Sequence, residues 1–285
     1  MKITKAVITA AGANQRRLPH QILVDRDGIE KSVLSIIAAE ALRAGIDDIG
    51  VVVHPDDVDL YTNSAHDEGR WTIIPQDEPR GYGHAIYCAR NFVEEEPFLH
   101  MVGDHIVVAL DGHNSAAQML ALAASQECAV SGVQSTRENE IAYFGAVSGQ
   151  RVRGTSNVYT IDGVVEKPTP TQAEQSLLVP GLRAGHYLCF FGIHVLTPTL
   201  FTLLARLVDS GASRIDLSSS LNELARIEKY LAIEANSLRF PVDVKYGILK
   251  AQLALALSGP DRSEVLTLVC ELLAQRELAS AGRKS

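Results

Sequence analysis

Lys5-Ala6-Val7-Ile8-Thr9-Ala10-Ala11-Gly12 is a β-branched run that stops in small residues, and it reads as a strand opening into a tight loop. Outward from it, strand-like and helix-like stretches alternate. Residues 31–44 place Val33, Leu34, Ile37, Ala41 and Leu42 near helical spacing, and Gly45 ends that helix. Residues 48–53 read as a second strand, Asp56 and Asp57 as the cap of a short helix, and residues 71–75 as a third strand. A helix over 83–92 and a fourth strand over 97–102 follow. Such alternation predicts an α/β protein with a mainly parallel sheet covered by helices on both faces. Ligands of these sheets sit beyond the carboxyl ends of the strands.

The second half is less regular. Residues 128–133, 144–147, 158–165 and 186–195 read as strands, and the polar, proline-containing stretch 169–182 as a mobile surface loop. From Thr197 onward the pattern turns helical: one helix from Pro198 to about 208, one capped by Asp216 to about 227, then 244–257 and 263–275, with a frayed tail over 281–285.

Composition narrows the classes of function. The chain has 285 residues, 46% hydrophobic and 21% charged, which suits a globular protein with a sizeable core. No apolar stretch is long enough to span a membrane, and the N-terminus reads as a first strand without a cleavage-site pattern, so a cytoplasmic protein without a membrane partner is expected. A formal charge of −8 argues against a nucleic-acid partner, which needs a basic face. It leaves room for a small anionic ligand held by local donors and a metal. Cys88, Cys128, Cys189 and Cys270 are scattered and read as small buried hydrophobes. His186 and His194 read as core or edge residues, with no zinc spacing between them.

Four short motifs fall at or just after strand ends. The first is Ala10-Ala11-Gly12 with Arg16 and Pro19, a turn whose backbone N–H groups can approach phosphates and whose arginine can neutralise them. The second runs from Gln76 to Gly81-Tyr82-Gly83-His84-Ala85; an amide there presents both a donor and an acceptor to a pyrimidine edge. The third, Val102-Gly103-Asp104, puts a carboxylate where magnesium would sit against nucleotide phosphates. The fourth, Gly163-Val164-Val165-Glu166-Lys167-Pro168, follows Phe144-Gly145-Ala146-Val147 and sets a carboxylate beside an ammonium, suited to different parts of one ligand.

In this order the motifs resemble those of the sugar-1-phosphate nucleotidyltransferases, most closely the bacterial UTP:glucose-1-phosphate uridylyltransferases, over about residues 3–255. The resemblance implies a Rossmann-like three-layer α/β/α fold with a mixed, mainly parallel sheet and C-terminal helices. It implies a nucleotidyltransferase domain over 1–258, with a nucleotide-binding part to about 135 and a sugar-phosphate-binding part over 136–258, then a C-terminal helix and tail over 259–285. Ala11, Gly12, Gln76 and Gly81 would bind the nucleotide; Gly145, Glu166 and Lys167 the sugar phosphate; Asp104 and Asp243 a Mg2+ ion. Arg16 would act on the departing pyrophosphate and Lys167 on the attacking phosphate.

The expected substrates are a nucleoside triphosphate, UTP, and a sugar 1-phosphate, glucose 1-phosphate. The chain departs from the family pattern in its first loop. Asn14 and Gln15 replace a glycine and a threonine, and Gln21 stands where a family lysine would neutralise phosphoryl charge. Arg214 falls where the uridylyltransferases carry a glutamate. These departures admit rivals: a relative using dTTP or GTP with another sugar or cyclitol phosphate, or a non-catalytic nucleotide-sugar-binding paralogue. The late apolar helices suit a homo-oligomer face and an intramolecular packing face equally.

Overall fold

The computed structural model describes residues 1–12, 16–63 and 69–281. The chain begins β1 (Lys5–Thr9), β2 (Ile22–Val24), β3 (Glu30–Ser32), α1 (Val33–Arg43), β4 (Asp48–Val53), α2 (Val58–Thr62) and β5 (Arg70–Pro75). Next come α3 (Tyr82–Cys88), α4 (Arg90–Val93), β6 (Phe98–Val102), β7 (His105–Ala109), α5 (Ser115–Gln126), β8 (Ala129–Arg137) and β9 (Gly145–Ser148). Then follow β10 (Val158–Thr160), β11 (Gly163–Glu166), α6 (Pro170–Ser176), β12 (His186–Leu196), α7 (Thr199–Asp209) and α8 (Leu217–Ile227). The chain closes with β13 (Tyr230–Glu234), β14 (Ser237–Pro241), α9 (Gly247–Leu257) and α10 (Arg262–Ala281).

The main sheet has the order β10-β13-β8-β12-β6-β1-β4-β5. Strands β5, β4, β1 and β6 are mutually parallel. Because β12 is antiparallel to both β6 and β8, and β13 is parallel to β8, these two run the same way as the first four. The sheet is therefore mixed and mainly parallel. Ala6, Val7, Ile8, Val51, Val52 and Val53 are buried on both faces, as strands covered on two sides require. One apolar layer packs α1 and α5 on one face; the other packs α3, α7 and α8 on the opposite face.

Two features aim this frame at a site. Thr9 pairs with Val52 and Val102, so the loops after β1, β4 and β6 leave from one edge. In β12 the register shifts between Phe190 and His194. Below that irregularity β12 pairs with β6; above it, Leu188 and Cys189 pair with β9, which carries β11. A bulge bends the strand it interrupts. The β9–β11 ladder is thereby raised as a wall beside the carboxyl edge.

Several boundaries differ from the sequence reading. α1 starts at Val33 because residues 30–32 pair with β2 and the Ser32 hydroxyl accepts from the Ser35 N–H at 3.0 Å. Asp57 caps nothing, since its carboxylate holds Arg16; His54 Nδ1 instead accepts from the Asp56 N–H at 3.2 Å. The helix expected over 83–92 breaks at Ala89, and the strand expected over 158–165 breaks at Ile161 and Asp162. The stretch 169–182 is not a loop throughout. Thr169 and Gln172 form a reciprocal capping box, Pro170 occupies the first turn, and Ala173 and Leu177 are buried beneath α6. Strands β13 and β14 interrupt the helical C-terminal part, and α9 begins at Gly247. Cys270 is exposed, whereas Cys128 and Cys189 are buried. Residues 13–15 of the first loop and 282–285 of the tail lie outside the described residues. No helix among the described residues is long and apolar enough to cross a membrane.

Candidate active site at the carboxyl edge

Gly81 organises the second motif. Its φ is +105°, and a Cβ there would lie 2.7 Å from the Ile215 carbonyl oxygen. The Ile215 N–H donates to the Arg80 carbonyl at 2.7 Å and the Gly83 N–H donates to the Ile215 carbonyl at 2.9 Å. The turn is thus clamped to the segment that precedes α8. Gln76 is buried, and its amide nitrogen donates to the Gly81 carbonyl at 3.1 Å and faces His84 Nδ1 at 3.2 Å. Burial, and then the charge of Arg80, hold His84 below the usual histidine range; because an amide N–H only donates, Nδ1 is the acceptor in the Gln76 contact.

The third motif ends β6. The Gly103 N–H donates to the Thr9 carbonyl at 2.9 Å, drawing the β1 and β6 loops together. His105 Nδ1 lies 2.5 Å from Asp104 Oδ1 and orients that carboxylate. The Val242 N–H donates to the Asp104 carbonyl at 2.9 Å, continuing the β7–β14 ladder, so the exposed Asp243 follows directly after the residue that pairs with Asp104. No group of three or more His, Cys, Asp or Glu side chains suited to a metal occurs among the described residues. Magnesium takes one or two carboxylates and fills its remaining positions with phosphate oxygens and water, and Asp104, oriented by His105, is a carboxylate of that kind.

The fourth motif faces this edge from the raised ladder. Glu166 pairs with Gly145 across β11 and β9, and the Ser218 hydroxyl donates to Glu166 Oε2 at 2.6 Å. A Cβ on Gly145 would stand 2.8 Å from the Phe190 ring and 3.2 Å from Glu166 Oε2, so the absent side chain is what leaves the carboxylate accessible. Lys167 has φ +46° and its N–H donates to the Phe144 carbonyl at 3.1 Å. The strand ends in that left-handed turn, so the exposed lysine departs from the direction of Glu166.

Tyr82 joins these parts. Burial, and then the carboxylates of Asp104 and Glu166, push its phenol well above the usual range. Arg16 stands apart: its guanidinium forks onto Asp57 at 2.6 and 2.5 Å and reaches Asp56 at 3.4 Å, on the turn after β4. That pair also draws Asp57 below the usual carboxylate range. Ala11 is buried and Gly12 exposed at the end of the β1 loop. Gln21 is exposed just past the Leu18–His20 turn, and Arg214 is exposed along Gly81.

Sequence reasoning missed Tyr82, Ser218 and Asn222, whose Oδ1 accepts from the Val164 N–H at 3.0 Å and fastens β11 to α8. Only one signal pointed toward the last two. The Asp216 cap, whose side chain accepts from the Ser219 N–H at 2.8 Å, fixes where α8 begins, and both residues lie on its first two turns.

Residues 16–238 match the nucleotidyl transferase family. A Bacillus subtilis strain 168 protein named UTP–glucose-1-phosphate uridylyltransferase YngB is 27% identical, covering 97% of this chain and 97% of its own length. A UTP–glucose-1-phosphate uridylyltransferase of Streptococcus pneumoniae is 26% identical over 91% of this chain and 92% of its own. Among solved structures, UTP-bound UGPase from Acinetobacter baumannii superposes with a TM-score of 0.74 at 23% identity, covering 95% of this chain and 100% of its own. UDP-glucose pyrophosphorylase complexed with UDP-glucose gives 0.74 at 22%, over 89% and 98%.

Proposed function

The chain belongs to the nucleotidyl transferase family, and we propose that it joins UTP to glucose 1-phosphate, releasing pyrophosphate and forming UDP-glucose. The observation that carries this reading is that β12 links the end of β6, which leads into Asp104, to the β9–β11 ladder that carries Glu166, so both acids belong to one edge. One carboxylate suits a metal-bound triphosphate and the other a sugar hydroxyl. The relatives named for UTP and glucose 1-phosphate span nearly the whole chain and support the choice of base and sugar.

Asp104 and Asp243 would hold Mg2+, whose chemistry there is to neutralise triphosphate charge. The amide oxygen of Gln76 would accept from the pyrimidine N–H, since its nitrogen is engaged by the turn. Ala11 and Gly12 would bring backbone N–H groups to the phosphates. Glu166, steadied by Ser218, would accept from a sugar hydroxyl, with the ring drawn close over Gly145. Lys167 would grip the sugar's phosphate and hold its oxygen in line with the α-phosphorus. That oxygen is already ionised, so no general base is required. Arg16 would exchange Asp57 for the departing pyrophosphate, trading one anion for another. The same division makes residues 1–135 the nucleotide-binding part and 136–258 the sugar-phosphate-binding part.

Lys167→Ala tests the assignment. A charge-assisted contact is worth about 1.5–3 kcal/mol, so KM for glucose 1-phosphate should rise about tenfold or more and kcat should fall, with KM for UTP unchanged. Wild-type kinetics would remove Lys167 from the mechanism.

A further inference from the structure

Tyr82 occupies the position that the G-x-G-H-A pattern leaves open, and its two ends meet different surroundings. The residue is 37% exposed, yet its hydroxyl is buried 2.6 Å from Nε2 of His100. His100 is fully buried in the middle of β6, and its Nδ1 lies 3.0 Å from the Val7 carbonyl oxygen. A carbonyl only accepts, so Nδ1 carries the proton. Burial holds the imidazole at about 4, so the ring is neutral and Nε2 is bare. The Tyr82 hydroxyl therefore donates to His100. The His100 ring stacks on His194 at 5.8 Å, and His194 Nδ1 bonds Ser131 at 2.6 Å, which in turn bonds Tyr230. The polar end of Tyr82 is seated in a buried, partnered network, and the residue keeps an exposed surface apart from that end.

The same network supports the raised wall. Phe190, against which a Gly145 Cβ would collide, packs edge-on to His194 at 5.0 Å. His100 and His194 thus lie beneath both Tyr82 and the strand pair that carries Glu166. Gln76 is attached on the other side, through Gly81. A pyranose presents a C–H face between its hydroxyls, and ligand pockets pair aromatic surface with a few placed polar groups. We propose that the Tyr82 ring, pinned through its hydroxyl to His100, is the platform on which the sugar ring of the sugar 1-phosphate packs, beside the β9–β11 ladder that carries Gly145 and Glu166. Tyr82 is then a specificity-determining contact and His100 a positioning residue. This inference rests on the nucleotide-sugar reading above.

The test combines steady-state kinetics with calorimetry of UDP and UDP-glucose on the full chain. For Tyr82→Leu, KM for glucose 1-phosphate should rise about tenfold while KM for UTP stays within about twofold. The margin by which UDP-glucose binds more tightly than UDP should shrink by a similar factor, with UDP affinity unchanged. If Tyr82→Leu does not fold, Tyr82→Phe, which keeps the ring and frees its anchor, should raise the sugar-phosphate KM about threefold without changing that for UTP. His100→Leu should act in the same direction as Tyr82→Phe. An unchanged sugar-phosphate KM and an unchanged margin, or an equal rise in both KM values with a lowered Tm, would overturn the platform and leave the function standing. A wild-type protein that binds UDP-glucose no better than UDP and turns over no sugar phosphate would overturn both.

Discussion

A side chain at position 81 has nowhere to go: the backbone sits at φ +105°, and the first carbon would press on the Ile215 carbonyl. Gly81→Ala should therefore cost about 1–3 kcal/mol, seen as a lowered Tm, and should lower turnover because Gln76 and Tyr82 lose their support. A variant that melts and turns over like the wild type would contradict the clamp. The glycines at 81 and 83 were legible from sequence because their spacing is a pattern. Tyr82, His100 and Ser218 were not. Position 82 is free in the pattern, a histidine inside an apolar strand reads as core, and Ser218 reaches Glu166 only once α8 lies along β11. Arg16 was read as a phosphate ligand, and the structure adds its present partner, Asp57.

At the scale of elements, β6 and β12 share a stacked pair of buried histidines, and that pairing makes stability depend on pH. The folded-state pKa of His100, about 4, lies below its unfolded value of about 6.5, and that of His194 is likewise depressed by burial. The unfolded chain then binds more protons below pH 6.5, so stability is complete above that pH and falls as pH drops toward 4. For His100 the loss approaches about 3 kcal/mol across that window. Melting at pH 7 and pH 5 should show a falling Tm, and His100→Gln should reduce the fall; an equal fall in the variant would exclude His100 as its source. The parallel half of the sheet was legible because β-branched runs alternated with helical spacing. Strands β13 and β14 were not, since both are short and lie between helices, and β14 gains its place by pairing with β7, more than a hundred residues earlier. The capping box at Thr169 and Gln172 was present in the sequence, but the polar, proline-containing composition around it read as a loop.

For the whole molecule, the order of motifs along the chain becomes a single edge in space. The loops after β1, β4 and β6 converge because those strands are parallel and in register, and the bend in β12 raises the β9–β11 wall to meet them. A chain of net charge −8 can still receive two anionic substrates there, because Lys167, exposed backbone N–H groups and a divalent ion would supply positive potential locally. The central claim is catalytic competence despite Gln21 in the lysine position of the first loop. The direct measurement is pyrophosphate release with glucose 1-phosphate and Mg2+, taken across UTP, dTTP, GTP, CTP and ATP. Turnover with UTP above the other four is the result expected. No release with any nucleotide, together with no thermal shift on adding UDP-glucose, would contradict it.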